Sequence, residues 1–255
     1  MNAAAAENRP AKLALEDGTV YEGTACGADG EVAGEVVFNT SMTGYQEILT
    51  DPSYRGQIIT MTYPEIGNYG VNPSDVERAA PCLSGFVMRE DSRIYSNFRA
   101  SGGLQDYLRQ HNVVGLSGID TRSLVRRIRS VGAMRGIIST TDLNNDSLVA
   151  KAQQSQGLEG RDLVREVIPK GNSTWSQRLD AFTPVDGQMI SLETPIDDSP
   201  AAESAAHIVC VDFGMKWNIP RHFASRGNRV TIVPGTVMAD EVLALDPDGI
   251  FLSNG

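Results

Sequence analysis

Cysteine, aromatic residues, basic charge and long apolar runs are all scarce in this chain, and each shortage excludes something. Cys26, Cys82 and Cys210 are the only cysteines in 255 residues. They are too few and too scattered for a disulfide framework, and no Cys-x-x-Cys or Cys/His spacing marks a metal site. No apolar run approaches the roughly 20 residues that cross a bilayer. The opening ten residues lack the charged-then-apolar order of a secretory signal and read as a disordered tail. Lys and Arg number 22 against 32 Asp and Glu, a net charge of −10, which disfavours nucleic acid or an anionic membrane as partner. These shortages point to a cytosolic chain without a metal.

What is present is ordinary globular material, 41% hydrophobic and 21% charged. The length suffices for one large domain or two smaller ones, each with its own core. One basic cluster stands out, Arg122, Arg126, Arg127, Arg129 and Arg135, and it reads as a solvated helix face.

The stretch from Gly34 to Tyr54 organises the chain. An apolar strand, Val36 to Phe38, leads into a polar segment, Asn39 to Gly44, then a short helical turn, then Asp51-Pro52-Ser53-Tyr54, where proline presets the backbone. An apolar run, Ile58 to Met61, follows, and the chain leaves through Tyr63 to Gly70. A loop rich in hydroxyl and amide side chains, held between two buried strands, is how a scaffold presents hydrogen-bonding groups to a polar or zwitterionic ligand. The same residues also make a good structural turn.

Before this stretch, Lys12–Glu16, Asp17-Gly18 and Thr19–Gly23 predict a hairpin with a type I′ turn. After it come a polar loop over 72–81, a strand at Leu83–Met88, and a helix from a Ser101 cap to His111. A strand at Asn112–Leu116, a helix at Thr121–Val131 capped by Asp120, a strand at Gly136–Ser139 and a helix near Ser147–Gln156 capped by Asp146 complete a layered α/β domain. The Pro-, Gly- and acid-bearing segment up to Ala206 reads as a linker, with a strand over Met189–Leu192. The expected division is a first domain at 1–185, a linker at 186–206 and a second unit at 207–255.

That second unit reads as strand Ile208–Val211, helix Lys216–Arg226 stopped by Gly227, strand Arg229–Val233, helix Met238–Leu245 and strand Gly249–Leu252. The order β-α-β-α-β is the opening half of a doubly wound parallel sheet. Half a sheet leaves an edge uncovered, so the unit is expected to be completed by more of its own chain or by another.

No residue here announces a nucleophile. A catalytic thiol needs a lowered pKa and an oriented base. Cys210 lies inside an apolar strand with His207 on the opposite face, Cys26 sits among glycines, and Cys82 follows a proline. His111, His207 and His222 read as structural or solvated. Asp212-Phe213-Gly214 resembles a kinase magnesium motif, but no matching catalytic or glycine-rich loop accompanies it. The dinucleotide glycine pattern is missing too.

The residues FNTSMTGYQEILTDPSY (38–54) and TYPEIGNYG (62–70) closely resemble the small, glutamine-hydrolysing subunit of carbamoyl-phosphate synthetase. HNVVGLSGIDTR (111–122), VDFG (211–214) and GIFLSNG (249–255) fall in the same family's order, and the likeness runs from about Lys12 onward. It implies a layered amino-terminal domain followed by part of a class I glutamine amidotransferase domain, interrupted before the cysteine elbow Gly-x-Cys-Leu-Gly-His-Gln and its His and Glu partners. It further implies that Ser53 and the backbone of Gly255 contact L-glutamine, and that no residue of this chain is catalytic. The implied partner is a large synthetase subunit that uses ATP and magnesium, this chain holding no cofactor, and ammonia serves pyrimidine and arginine synthesis. The rival readings are a non-catalytic docking protein for the large subunit and a small α/β nucleotide-binding protein.

Overall fold

The computed structural model describes residues 9–180 and 204–255, so the expected strand at 189–192 and nearly all of the expected linker lie outside the described residues. The chain divides into two compact units, Met1–Arg161 and Asp162–Gly255. The first contains β1 (Pro10–Leu15), β2 (Val20–Gly27), β3 (Glu31–Asn39), α1 (Tyr45–Thr50), a 3-10 turn (Pro52–Tyr54), β4 (Gln57–Met61), β5 (Glu65–Ile66), β6 (Gly85–Val87) and β7 (Glu90–Asp91), followed by α2 (Leu104–Gln110), β8 (Val114–Ser117), α3 (Thr121–Val131), β9 (Met134–Ser139) and α4 (Asn145–Gln154). The second contains α5 (Val164–Val167), β10 (Ser173–Trp175), β11 (His207–Asp212), α6 (Asn218–Ser225), β12 (Arg229–Pro234), α7 (Ala239–Leu243) and β13 (Gly249–Leu252).

The α/β class holds, but the first unit is not simply layered. Among the described residues its strands close into a barrel in the order β1-β2-β8-β6-β4-β3-β9, with β9 returning to β1. The β3, β4, β6 and β8 strands run parallel, whereas β1, β2 and β9 supply the antiparallel pairings. Closure removes the exposed edges that a layered sheet would have to protect. Local periodicity is blind to it, because the closing pair Leu13 and Ile138 stand at opposite ends of the domain's sequence.

Alternation along β4 shows how the barrel is filled. Ile58 points inward to Leu13, Val36, Val87 and Ile138, where α3 contributes Leu124 and Ile128. Ile59 and Met61 point outward and are covered by Tyr45 and Leu49 of α1 and by Leu104 and Leu108 of α2. The α4 helix lays Leu148 and Ala152 over Ala14 and Ile137. Strands apolar on both faces therefore read as continuous hydrophobic runs, and each fully buried Leu or Ile contributes about 2 kcal/mol. Curvature brings backbones close. A Cβ at Gly115 would lie 2.6 Å from the Cys26 sulfur and 2.7 Å from its carbonyl oxygen.

Several local expectations change. The first hairpin has a three-residue loop, not type I′. The Gly18 N–H bonds Leu15 O at 3.1 Å, the Leu15 N–H bonds Thr19 O at 2.8 Å, and Gly18 takes φ +93. That is a type I turn followed by a left-handed glycine, which is the usual three-residue solution. Ser101 does not cap α2. Gly103 stands at the cap, and the Ser101 hydroxyl donates to Val71 O at 3.0 Å. Asn112 ends α2 at φ +55 instead of starting a strand. The α4 cap is Asn144, whose side chain accepts the Ser147 N–H at 2.9 Å, rather than Asp146. Asp120 caps α3 as expected, accepting the Ser123 N–H at 2.9 Å.

The second unit carries the expected parallel half sheet. The β11 strand pairs in parallel with β12 on one side and β13 on the other. A fourth strand, β10, adds antiparallel to β12 through Ser173–Trp175. Residues 173–175, placed by the sequence reading in a first domain ending at 185, thus pair within the second sheet, and the compact units divide after Arg161.

Candidate functional site

Ser53 sits on the 3-10 turn between α1 and β4, and its placement is built up from the residues around it. Asp51 is held extended before Pro52, and its carboxylate accepts the Ser53 N–H at 2.9 Å. Asn39 reaches from the end of β3 to donate to the Tyr54 hydroxyl at 2.9 Å. Ser53 itself is exposed, and its hydroxyl makes no hydrogen bond among the described residues. A rigid turn with a free hydroxyl can serve a ligand that both donates and accepts.

The α1 helix beneath this turn is fastened to the segment after β5. Gly44 enters at φ +85, and its N–H and that of Tyr45 donate to the Tyr69 hydroxyl at 2.6 and 3.1 Å. The Tyr45 and Tyr69 rings stack with centroids 4.2 Å apart, and the Tyr45 hydroxyl donates to Gly70 O. Gln46 exchanges two bonds with the Asn72 backbone, at 2.6 and 2.9 Å. Glu47 lies in the same region with one carboxylate oxygen buried and unbonded among the described residues. Burial, reinforced by Asp75 and Glu77, pushes its carboxyl up to about 7, against its own backbone N–H and Arg99.

In the second unit, the carboxyl ends of β11 and β13 meet at the point where the chain has switched sides of β11, the usual ligand crevice of a doubly wound sheet. Asp212 is buried and accepts the Gly214 and Met215 N–H groups at 2.8 and 2.7 Å. The Ser253 hydroxyl accepts the Phe213 N–H at 2.9 Å and donates to Asn254 O at 2.8 Å. Gly255 lies beside this clamp. A Cβ on Gly214, which sits at φ +126, would be 3.4 Å from the Gly255 Cα. Ser53 and Gly255 belong to different units.

The cysteines and histidines are placed as packing groups. Cys26 is fully buried and burial drives its thiol strongly upward, whereas Cys210, buried near Asp212, is pushed up to about 12. Burial also raises the Cys82 thiol, whose sulfur lies 3.5 Å from Thr50 O. The His207 ring meets the Thr231 hydroxyl at 2.8 Å, His111 lies against Tyr107, and His222 meets Arg226 at 3.1 Å. Of the basic cluster, Arg127 pairs with Asp17 and Arg135 with Glu16. Sequence reasoning met Asp212 and Ser253 only inside the motifs VDFG and GIFLSNG and gave neither a role of its own. The available signal was a polar residue directly after an apolar strand, in Phe-Leu-Ser and Val-Asp-Phe.

A closed barrel unit joined in one chain to a mainly parallel sheet with a switch point beside β11 defines a two-unit α/β protein. A family profile for the carbamoyl-phosphate synthase small chain, CPSase domain, matches residues 13–138. Curated proteins named carbamoyl phosphate synthase small chain align along nearly all of the sequence. That of Rhodopirellula baltica is 62% identical over 247 residues, covering 97% of this chain and 62% of its own. Those of Syntrophotalea carbinolica and a Synechococcus strain are 52% and 49% identical, with 95% and 98% of this chain covered. The chain belongs to the carbamoyl-phosphate synthase small chain family, and it spans about three-fifths of the length of the curated relatives it matches. Among solved structures, an aminopeptidase from Aneurinibacillus sp. strain AM-1 aligns at a TM-score of 0.30 and 10% identity over 95% of this chain and 55% of its own, too low to bear on the fold. Among the described residues no helix is long and apolar enough to cross a membrane.

Proposed function

We propose that this chain is the glutamine-side portion of a carbamoyl-phosphate synthase small subunit. The complete subunit hydrolyses glutamine to glutamate and ammonia in the cytoplasm. A large partner subunit then uses the ammonia, with bicarbonate, ATP and magnesium, to make carbamoyl phosphate for pyrimidine and arginine synthesis. The observation that carries this reading is 62% identity over 247 residues with a relative bearing the small-chain name.

In this reading the residues present here bind and orient. The Ser53 hydroxyl accepts from the ammonium of glutamine and donates to its α-carboxylate. The Gly255 backbone, at the carboxyl ends of parallel strands, lies where main-chain N–H groups suit a carboxylate or a developing oxyanion. The family's cysteine nucleophile is not among these 255 residues, and Cys26 and Cys210 are too buried and too high in pKa to replace it.

The test compares glutamate release from glutamine by the purified 255-residue chain and by the full-length subunit mixed with the large subunit. The expected result is release by the complete pair alone. Cysteine-dependent release by the 255-residue chain would overturn the assignment of the nucleophile elsewhere, and a complete pair inert toward glutamine would overturn the function.

A further inference from the structure

Two loops of the second unit meet where β11 and β13 end, and one hydroxyl joins them. Ser253 is anchored in the sheet by its own N–H, which donates to Val211 O at 3.0 Å. The residue is nearly buried, at 9% exposure. From that fixed point its oxygen accepts the Phe213 N–H at 2.9 Å and donates to Asn254 O at 2.8 Å. The other side of the contact is equally constrained. The Asp212 carboxylate takes the next two N–H groups, those of Gly214 and Met215, and the Gly235 N–H closes on Asp212 O at 2.9 Å.

The fit between the two loops leaves no spare room. A Cβ on Gly255 would come 3.0 Å from Phe213 O, and one on Gly214 would meet the Gly255 Cα at 3.4 Å. Beside them α5 contributes apolar side chains alone, Val167 standing 3.5 Å from a Cβ built on Gly214 and Val164 3.7 Å from one built on Gly255. Without the Ser253 hydroxyl, the Phe213 N–H would lose its acceptor, and the Asn254–Gly255 segment would keep only van der Waals contact with its neighbour. Main-chain groups bind a ligand well only when they are already held in the bound conformation, since ordering them on binding costs affinity.

We infer that Ser253 is a positioning residue for this crevice, its hydroxyl holding Asn254–Gly255 against Phe213–Gly214 so that the backbone at Gly255 is preset for its ligand. The inference rests on the reading of Gly255 as a glutamine contact, and it adds a residue that never touches glutamine itself. Removing the hydroxyl should weaken glutamine capture about tenfold, the upper end of what one intramolecular hydrogen bond is worth, since this hydroxyl both accepts one bond and donates another.

The experiment uses the full-length subunit with its large partner and compares Ser253→Ala with Ser253→Thr, which keeps the hydroxyl. For Ser253→Ala the expected result is a KM for glutamine raised about tenfold, kcat within about threefold, and unaltered synthesis when free ammonia replaces glutamine. Ser253→Thr should recover most of the loss. An unchanged KM in Ser253→Ala, or equal losses with glutamine and with ammonia, overturns the inference while leaving the glutaminase reading intact. An unsubstituted pair that does not use glutamine overturns that reading instead, and this inference with it. A second measurement needs no variant. The Phe213 N–H in the 255-residue chain should exchange with solvent far more slowly than an open peptide, and exchange at the open rate overturns the clamp.

Discussion

The Asn39 side-chain amide, at the end of β3, donates to the Tyr54 hydroxyl at 2.9 Å, tying the exit of one barrel strand to the turn that precedes the next. Tyr54→Phe removes the acceptor and leaves the ring. The expected cost is about 1 kcal/mol, measured by urea unfolding. A variant as stable as the unaltered chain would show that water replaces the bond without loss.

Asp120 holds the first turn of α3, the helix that places Leu124 and Ile128 in the barrel. Asp120→Ala leaves the Ser123 N–H without its cap and should lower stability by about 1 kcal/mol. Asp120→Asn, which keeps a side-chain acceptor, should recover most of it. Equal losses in both variants would point to charge rather than capping.

Gly115 has no room for a side chain between β8 and β2. Gly115→Ala sets a methyl 2.6 Å from the Cys26 sulfur and 2.7 Å from a backbone oxygen that cannot turn away. Overpacking of this kind typically costs about 1–3 kcal/mol. Pairing it with Cys26→Ala should return only part of the loss in unfolding experiments, because the carbonyl contact persists.

Glu47 makes stability depend on pH in a definite direction. Its carboxyl is raised in the folded chain to about 7 from 4.5, chiefly by burial and then by Asp75 and Glu77. A raised carboxyl means that the folded state binds the proton more tightly than the unfolded one. Its contribution is therefore full below about pH 4.5 and is lost as pH rises through about 7. Glu47→Gln escapes that loss. Its melting temperature should approach that of the unaltered chain near pH 4.5 and exceed it at pH 8, and a difference that is flat across this range would refute the assignment.

The thiols are predicted to be slow. Burial raises all three, Cys26 and Cys210 most, so little thiolate forms near neutral pH. Iodoacetamide at pH 7.5 should leave Cys26 and Cys210 unmodified in the folded chain and label all three in urea, read by mass spectrometry. Rapid labelling of Cys210 in the folded chain would reopen it as a nucleophile.

Much of this was legible in the sequence because the signals are local. Asp120 before an apolar-periodic run marks the start of α3, Gly227 at φ +81 marks the stop of α6, and the β-α-β-α-β order of the second unit follows from short apolar strands separated by helical spacing. The hydroxyl-rich turn around Ser53 was visible for the same reason, since Asp-Pro-Ser sets its own backbone. The caps of α2 and α4 were each misplaced by two residues, because Ser101 and Gly103, like Asn144 and Asp146, are all acceptable caps and only the packing of the helix selects one.

What the sequence determined by itself was element type, the polar character of the Ser53 loop, the parallel half sheet and, through long identical runs, the family. The tertiary structure alone decided that the first sheet closes, that Ser173–Trp175 joins the second sheet, and that Ser253 bridges two strand-end loops. Each of these is a hydrogen-bonded meeting of residues remote in the chain, such as Leu13 with Ile138 and Phe213 with Ser253. Periodicity records which face of a strand is buried, but not which distant backbone group lies across from it.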